Sequence, residues 1–260
     1  MTHPFPTIQH LSADKPHPHG RVGLIVPCAN PSAEPETTDL LAGTCAVHTT
    51  RFPVLDGWPL ADRLSAYTDL VPDMISTFGD LALDGLMVAC SGSQYLLGPV
   101  RDEATCAEWS STLGLAVSTA TLATRHVLHQ LGVDELVLLS PYEQWLTERA
   151  RTYWRKAGIR RVRVVTIQTT DGTHDPYQVS TSDLLAQVER ARLPDDAVLL
   201  CTGTGMATLR ALPLLGAGNK RVLLSSNLCG AWWLARQTGP IVPERLPWAL
   251  RRLVDQGLTP

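Results

Sequence analysis

The chain has 260 residues, a formal net charge of −3 and a pI near 6.2. This length allows one large α/β domain or two smaller ones with a cleft between them, and either can bury a sizeable core. The slightly acidic balance, without a basic stripe, argues against nucleic acid as a partner. No apolar run reaches the length of a membrane span and no secretory leader opens the sequence, so we expect a cytoplasmic protein without membrane attachment.

The N-terminal segment and the cysteine spacing restrict the protein class further. Residues 1–20 are rich in proline and histidine and are predicted to form a flexible arm. The six cysteines show no CxxC spacing, which argues against a structural zinc site. We expect no metal ion, and we expect reduced thiols, as is usual in the cytosol. The cysteines are Cys28, Cys45, Cys90, Cys106, Cys201 and Cys229.

Apolar runs alternate with helical patterns in the first half of the chain, which predicts βαβ units. The run at residues 21–27 predicts a strand, and residues 28–31 form the loop that leaves it. A second strand is predicted at 45–52 and a helix at 59–83, where apolar residues recur at helical intervals. A third strand ends at Cys90.

The second half of the chain repeats this alternation. A short strand at 115–117 and a helix at 119–131 open it, and a strand at 135–140 ends before Pro141 and Tyr142. The remaining predicted elements are a helix that ends near residue 156, strands at 162–167, 197–201 and 221–226, a polar loop at 169–177, and helices at 181–192 and 228–238.

Each half contains a strand followed by a proline-containing loop, an intermediate strand, and a strand that ends in cysteine. This order predicts an α/β fold with two pseudo-symmetric, doubly wound lobes of parallel sheet. Ligands of such folds bind beyond the carboxyl ends of the strands, so we expect the active site in the cleft between the lobes. The predicted boundaries are 1–20 for the arm, 21–114 with about 226–260 for the first lobe, and 115–225 for the second lobe.

The segment Cys90-Ser91-Gly92-Ser93 is the first candidate for chemistry. Backbone N–H groups at a helix start lower the pKa of a neighbouring thiol, and the thiolate is the reactive species. Two hydroxyls and a flexible backbone suit an anion such as a carboxylate. The alternative is a buried structural thiol beside an N-cap serine, and the segment by itself somewhat favours that alternative.

The segment that begins at Cys201 and continues through Thr202, Gly203 and Thr204 has the same character. No Gly-Lys-Ser/Thr follows it and its glycines do not complete GxGxxG, so a nucleotide-binding loop is a weak interpretation. A glycine-rich turn with an incidental cysteine is as good an interpretation as a functional site.

Other polar residues near strand ends also have both functional and structural interpretations. Asn30 can bind a carboxylate, but an ordinary Asn-Pro turn explains it better locally. Tyr142 can donate its phenolic hydrogen to a carboxylate, or its ring can pack at a helix start. We expect His174 to be structural or solvated, and Trp145 to belong to the core or to an interface.

Four segments together resemble the aspartate/glutamate racemase superfamily, most closely its maleate isomerase and arylmalonate decarboxylase branch. They occur in the family's order and span nearly the whole chain. They are residues 23–31 with 34–36 (GLIVPCANP and EPE), 89–93 (ACSGS), 140–142 (SPY) and 200–203 (LCTG).

This resemblance implies two α/β lobes, an active site between them and no cofactor. It makes Cys90 the first of two cysteines that act on opposite faces of a small carboxylic acid. By the same resemblance, Asn30, Tyr142 and residues 91–93 hold the carboxylates. In isomerases of this kind a thiolate adds to the alkene and allows rotation. The decarboxylases lack the first cysteine and use the second to protonate an enediolate.

The second cysteine departs from the family pattern. Matching cysteine to cysteine makes Cys201 the partner of Cys90, whereas matching residues 205–209 places Gly203 where the family has its second thiol. Residues two apart on a strand share a face, so Cys201 is still expected to point into the cleft, at greater depth. If it does not, Cys90 acts alone.

We therefore expect a cofactor-independent isomerase or racemase that acts on a small mono- or dicarboxylic acid through Cys90 and Cys201. One alternative is a cofactor-free decarboxylase of a substituted malonate, and another is a non-catalytic carboxylate-binding protein on the same fold. The helices that carry tryptophan are candidates for a homo-oligomer interface. The predicted substrate-binding residues are Asn30, Ser91, Gly92, Ser93, Tyr142, Thr202, Gly203 and Thr204.

Overall fold

The computed structural model describes residues 20–259, and the predicted N-terminal arm lies outside these residues apart from Gly20. Within them, eight strands form two four-stranded sheets in which every pair of neighbours is parallel. The strands are β1 (Gly20–Val26), β2 (Cys45–Arg51), β3 (Gly85–Val88), β4 (Val117–Thr119), β5 (Glu135–Ser140), β6 (Arg161–Thr166), β7 (Val198–Cys201) and β8 (Val222–Ser225).

Helices connect these strands and cover the sheets, as parallel sheets require. They are α1 (Ala33–Leu40), α2 (Leu60–Ser76), α3 (Ser91–Leu97), α4 (Pro99–Leu113), α5 (Ala120–Gln130), α6 (Gln144–Lys156), α7 (Thr181–Arg190), α8 (Ala211–Leu215), α9 (Ser226–Ala235) and α10 (Trp248–Asp255), with a 3₁₀ turn at Pro243–Arg245. No helix in the described range combines the length and apolar character that a membrane span needs.

The two sheets have the same internal order, which confirms the predicted α/β fold with two similar lobes. The first sheet is ordered β2-β1-β3-β4 and the second β6-β5-β7-β8. Each lobe therefore places its first strand between its second and third. The loops after β1 and β3 in one lobe correspond to the loops after β5 and β7 in the other.

The fourth strand of the first sheet corrects the predicted lobe boundary. β4 pairs with β3, with Leu86 opposite Val117 and Val88 opposite Thr119. The sequence analysis assigned this strand to the second lobe, from residue 115 onward. β4 has only three residues and no long linker precedes it, so the alternation of elements did not reveal which sheet it joins.

Helix α9, which follows β8, brings the chain back to the first lobe. Helix α9, nearly all of whose residues are buried, packs against α5, α1 and β3 as well as β8. The central strands read as continuous apolar runs because both faces are covered, and all four residues of β3 are buried. Both sheets thus present only their carboxyl ends to the cleft.

Candidate active site

A cavity of about 280 Å³ lies at the carboxyl ends of the strands of both sheets. Its walls come from the loops after β1, β3, β5 and β7, from α2 and α6, and from the loop between β6 and α7. This volume suits a small ligand. Within residues 20–259 no group of three or more His, Cys, Asp or Glu side chains is arranged to hold a metal ion. The predicted site residues that line the cavity are Asn30, Cys90, Ser91, Gly92, Tyr142 and Thr204.

Cys90 lies in the cavity wall because it follows the end of β3. The strand ends at Val88, and Cys90 is the N-cap residue of α3. Its Sγ is 3.2 Å from the Oγ of Ser93. Burial raises the pKa of the thiol, while hydrogen bonds with the Ser93 hydroxyl and with the backbone amides of Ser93 and Gly92 oppose that rise. The resting thiol is therefore protonated near neutral pH, and the same donors can stabilise a thiolate.

Asn30 and Thr204 connect the two lobes at the cavity. The Oδ1 of Asn30 accepts hydrogen bonds of 3.0 Å from the backbone N–H groups of Ser32 and Ala33, which orders the start of α1. Its Nδ2 donates to the Oγ1 of Thr204 at 3.0 Å, and that hydroxyl donates to the carbonyl oxygen of Ala89 at 2.7 Å. Asn30 therefore has two roles: it stabilises the turn before α1 and it lines the cavity. Among the described residues, the Nδ2 of Asn30 makes this one hydrogen bond to Thr204.

Cys201 does not line the cavity. It is the last residue of β7, paired with Leu139 of β5 and Ser225 of β8, and it is 1% exposed. The expectation that it points into the cleft assumed that the alternation of faces continues to Gly203, but the strand ends at Cys201 itself. Burial, together with the charge of Glu36, raises the pKa of this thiol to about 12.

Gly203 lies directly against the ring of Tyr142. Its backbone is in the left-handed region, with φ of +89°, and a Cβ at this position would overlap the phenolic oxygen of Tyr142. The Tyr142 side chain thus fills the space that a larger residue at 203 would take. Burial, with Tyr95 and Cys90 nearby, raises the pKa of Tyr142 well above its usual value. The phenol is therefore a hydrogen-bond donor at neutral pH and not a base.

The two remaining predicted hydroxyls lie behind the cavity wall. The Oγ1 of Thr202 is hydrogen-bonded to the hydroxyl of Tyr95, and neither residue lines the cavity. The hydroxyl of Ser93 is next to the sulfur of Cys90. The Ser93 hydroxyl thus supports a residue of the wall, the Thr202 hydroxyl bonds to a residue behind it, and neither Ser93 nor Thr202 lines the cavity.

Glu36 fastens the turn after β7 to the first lobe. One carboxylate oxygen accepts from the backbone N–H groups of Thr208 and Leu209. The other accepts from the Thr208 hydroxyl at 3.0 Å and from the Nδ2 of Asn227 at 2.8 Å. All of these bonds cross from α1 to the second half of the chain, so Glu36 fixes the position of one cavity wall.

A family model supplies the identification that this geometry suggests. The model for arylmalonate decarboxylase matches residues 22–244, which is most of the chain. The chain belongs to the arylmalonate decarboxylase family. No curated protein matches the chain.

Solved structures with this fold are enzymes of two kinds. The maleate isomerase of Pseudomonas putida S16 is 19% identical, with a TM-score of 0.75 over 90% of this chain and 99% of that one. A mutant of the Nocardia farcinica maleate cis-trans isomerase, with a covalently bound succinylcysteine intermediate, is 20% identical, with a TM-score of 0.71 over 84% and 92%. An arylmalonate decarboxylase is 19% identical, with a TM-score of 0.69 over 90% and 99%. These likenesses establish the fold.

In this member of the family, α2 contributes cavity residues that the sequence analysis did not single out. Leu60, Arg63, Leu64 and Tyr67 occupy one face of the helix, at spacings of three, four and seven residues, and all line the cavity. A charged residue within an apolar helical stripe is the signal that could have identified Arg63.

The loop between β6 and α7 also lines the cavity, through residues 174–177. His174 is therefore a cavity residue, although the sequence analysis expected it to be structural or solvated. Trp145 lines the cavity as well, where a core or interface position was expected. Cys28 is a second thiol in the cavity wall, half-buried and adjacent to Tyr67.

Proposed function

We propose that the protein is a cofactor-independent isomerase that converts a small unsaturated carboxylic acid between its cis and trans forms through Cys90. One observation carries this proposal. Cys90 lies in the wall of a small cavity, with hydroxyl and amide donors on its sulfur and the polar groups of Asn30 and Tyr142 on other walls. Membership of a family of enzymes supports catalysis over carboxylate binding alone.

The chemistry begins with the sulfur of Cys90. The thiol first gives its proton to a carboxylate oxygen of the bound substrate. The thiolate then attacks one alkene carbon, so that a C–S bond forms and the π electrons move onto the adjacent carboxylate as an enediolate. The former double bond is now single and rotates. Return of the electron pair re-forms the alkene in the trans arrangement, breaks the C–S bond and regenerates the thiolate. Donors around the carboxylate stabilise the enediolate, where negative charge develops.

This cavity suits addition and elimination better than racemisation. A racemase needs a proton acceptor on each face of its substrate. On the second lobe, Cys201 lies outside the cavity and Gly203 has no side chain. Tyr142 is a poor base there, because its pKa is well above the usual value. The carboxylate and imidazole groups that line the cavity from that lobe each already hold a hydrogen bond within the lobe, and they belong to Glu143, His174 and Asp175. A single thiol is sufficient for cis–trans isomerisation.

Decarboxylation of a substituted malonate is the second candidate. A malonate that loses carbon dioxide leaves an enediolate, which requires a proton on carbon. Cys90 is protonated at neutral pH because its pKa is raised by burial, so its thiol is a suitable donor. The family model for arylmalonate decarboxylase favours this candidate specifically.

The test is a proton NMR assay of the full-length protein with maleate, a methyl-substituted arylmalonate and a chiral 2-aryl acid. We expect a new trans-alkene signal from maleate, with no release of carbon dioxide. One carbon dioxide per turnover of the malonate would instead establish the decarboxylase. Thermal stabilisation by these acids without turnover would favour the non-catalytic protein.

The matched control for this assay is a pair of cavity cysteine variants, Cys90→Ser and Cys28→Ser. We expect only Cys90→Ser to abolish turnover, because only Cys90 is the N-cap residue of a helix with donors on its sulfur. Full activity of Cys90→Ser would overturn the proposal.

A further inference from the structure

Two buried nitrogen atoms of cavity residues have no hydrogen-bond partner among the described residues. They are the Nε of Arg63 and the Nδ1 of His174. A buried polar atom without a partner costs free energy, so native structures rarely leave one unexplained. Both belong to the walls of one cavity, which suggests that a ligand of that cavity supplies the missing acceptor.

Arg63 is distinguished by its position on α2. It lies in the first turn of the helix, and its neighbours on the same face, Leu60, Leu64 and Tyr67, are apolar or aromatic. Among the cavity-lining residues it is the only lysine or arginine. It takes part in none of the ion pairs found within residues 20–259. The guanidinium is half-buried and has no anionic partner among these residues, so a carboxylate bound in the cavity can pair with it.

The carboxylates in the cavity wall have other partners. Glu143 accepts a hydrogen bond from the indole N–H of Trp145 at 3.1 Å. Asp175 accepts one from the backbone N–H of Tyr177 at 2.9 Å. Neither carboxylate lies within ion-pair distance of Arg63. Among the described residues, no carboxylate of the cavity wall is therefore in contact with the guanidinium of Arg63.

The positive charge of Arg63 affects the pKa of Tyr177, which lies in the same loop as His174. Burial raises the pKa of Tyr177, and the positive charge of Arg63 opposes that rise. Tyr177 and His174 belong to the same loop, three residues apart. The Nε2 of His174 is 3.1 Å from the Nε2 of Gln168, which orients the ring, while its Nδ1 stays unpartnered. Arg63 and this loop thus line the same cavity.

We propose that Arg63, assisted by His174, binds the carboxylate of the substrate that is remote from Cys90, and that Arg63 makes a second negative charge a requirement. This inference rests on the proposed function, because it concerns the substrate of the same cavity. A guanidinium binds a carboxylate through two parallel hydrogen bonds, a geometry that lysine cannot reproduce. A substrate without the second carboxylate leaves the half-buried guanidinium of Arg63 unpaired, and such a loss discriminates between ligands.

Isothermal titration calorimetry with the Cys90→Ser protein tests the proposed role of Arg63, because this variant allows binding to be measured without turnover. The two ligands are succinate and its monomethyl ester, which have the same carbon chain but differ by one charge. We expect Arg63→Met to weaken succinate binding roughly tenfold to a hundredfold, as for a lost hydrogen bond to a charged group. The ester is expected to change by less than about threefold, since it does not pair with Arg63.

Three further variants sharpen the result. Arg63→Lys keeps the charge but loses the two-fold hydrogen bonding, so we expect it to bind succinate with intermediate affinity. His174→Ala is expected to weaken succinate binding less than Arg63→Met does. Arg101→Met is the matched control, because Arg101 is an exposed helical arginine of α4 that lies outside the cavity.

Equal weakening of both ligands by Arg63→Met, no weakening at all, or no succinate binding with Arg63 intact would each overturn the inference. If the proposed isomerase function is wrong but the role of Arg63 is right, the experiments give a different result. Succinate would then bind through Arg63 while the protein with Cys90 intact isomerises no unsaturated acid.

Discussion

Cys90 and Cys201 lie at the carboxyl ends of β3 and β7, which hold equivalent positions in the two sheets, but only one of the two thiols borders the cavity. β3 ends at Val88, so Cys90 lies beyond the strand in the turn that opens α3 and borders the cavity. β7 ends at Cys201, so this thiol is still held between β5 and β8 and does not reach the cavity. A shift of two residues relative to the strand end separates a reactive position from a core position.

The chemical surroundings of the two thiols also favour Cys90 as the reactive one. Burial raises the pKa of both, but Cys90 has hydrogen bonds with Ser93 and Gly92 that favour its thiolate. Cys201 has instead the nearby carboxylate of Glu36, which disfavours the thiolate further. Equivalent positions in the two sheets therefore do not give the two thiols equal reactivity.

The largest expected effect is on turnover of the substrate found in the NMR assay. Cys90→Ala should lower kcat on the order of a thousandfold or more, because it removes the reacting atom. Cys201→Ala should change kcat by less than about threefold, because the side chain is outside the cavity. A thousandfold loss in Cys201→Ala, with the fold intact by circular dichroism, would contradict the difference between the two thiols.

Alkylation should separate the two thiols next. We expect iodoacetamide to label Cys90 in the native protein and to label Cys201 only on unfolding, as measured by peptide mass spectrometry. Since burial raises the pKa of Cys90, the labelling rate should rise about tenfold per pH unit through the neutral range, without a plateau. A plateau near pH 7 would show that the thiolate is already stable in the resting protein.

A smaller effect is expected on stability, where Glu36 and Glu34 form a matched pair on α1. Glu36→Ala should lower the free energy of unfolding by about 3 kcal/mol, because it leaves buried donors of Thr208, Leu209 and Asn227 unpaired. Glu34→Ala breaks only an exposed ion pair with Arg51 and should cost less than about 1 kcal/mol. Urea denaturation measures both, and equal losses would show that Glu36 does not fasten the second lobe.

The sequence was sufficient to predict the strands that carry the site. β1, β3, β5 and β7 are apolar runs bounded by turn residues, so their positions and the residues that follow them could be read directly. Cys90, Asn30 and Tyr142 reach the cavity because each follows such a strand. Local patterns of this kind need no knowledge of tertiary contacts.

The features that the sequence did not reveal depend on contacts between distant elements. The pairing of β4 with β3 is a choice between two sheets, and three residues carry too little pattern to decide it. Arg63 belongs to the cavity only because α2 packs against α3, with the side chain of Leu64 lying over Gly92. Beyond the end of β7 at Cys201, the backbone N–H of Gly203 donates to the side-chain hydroxyl of Ser226 on α9 and not to a neighbouring strand, a contact between distant residues.

The contact between Gly203 and Tyr142 also constrains how this cavity can change by mutation. Any side chain at position 203 must first displace the tyrosine ring and must also accept a positive φ. A thiol at that position therefore needs a shift of the Tyr142 ring and a backbone that tolerates or relaxes the positive φ. Position 203 and the placement of residue 142 are thus linked by steric fit, so a library that varies the two positions together explores more of this cavity than one that varies position 203 alone.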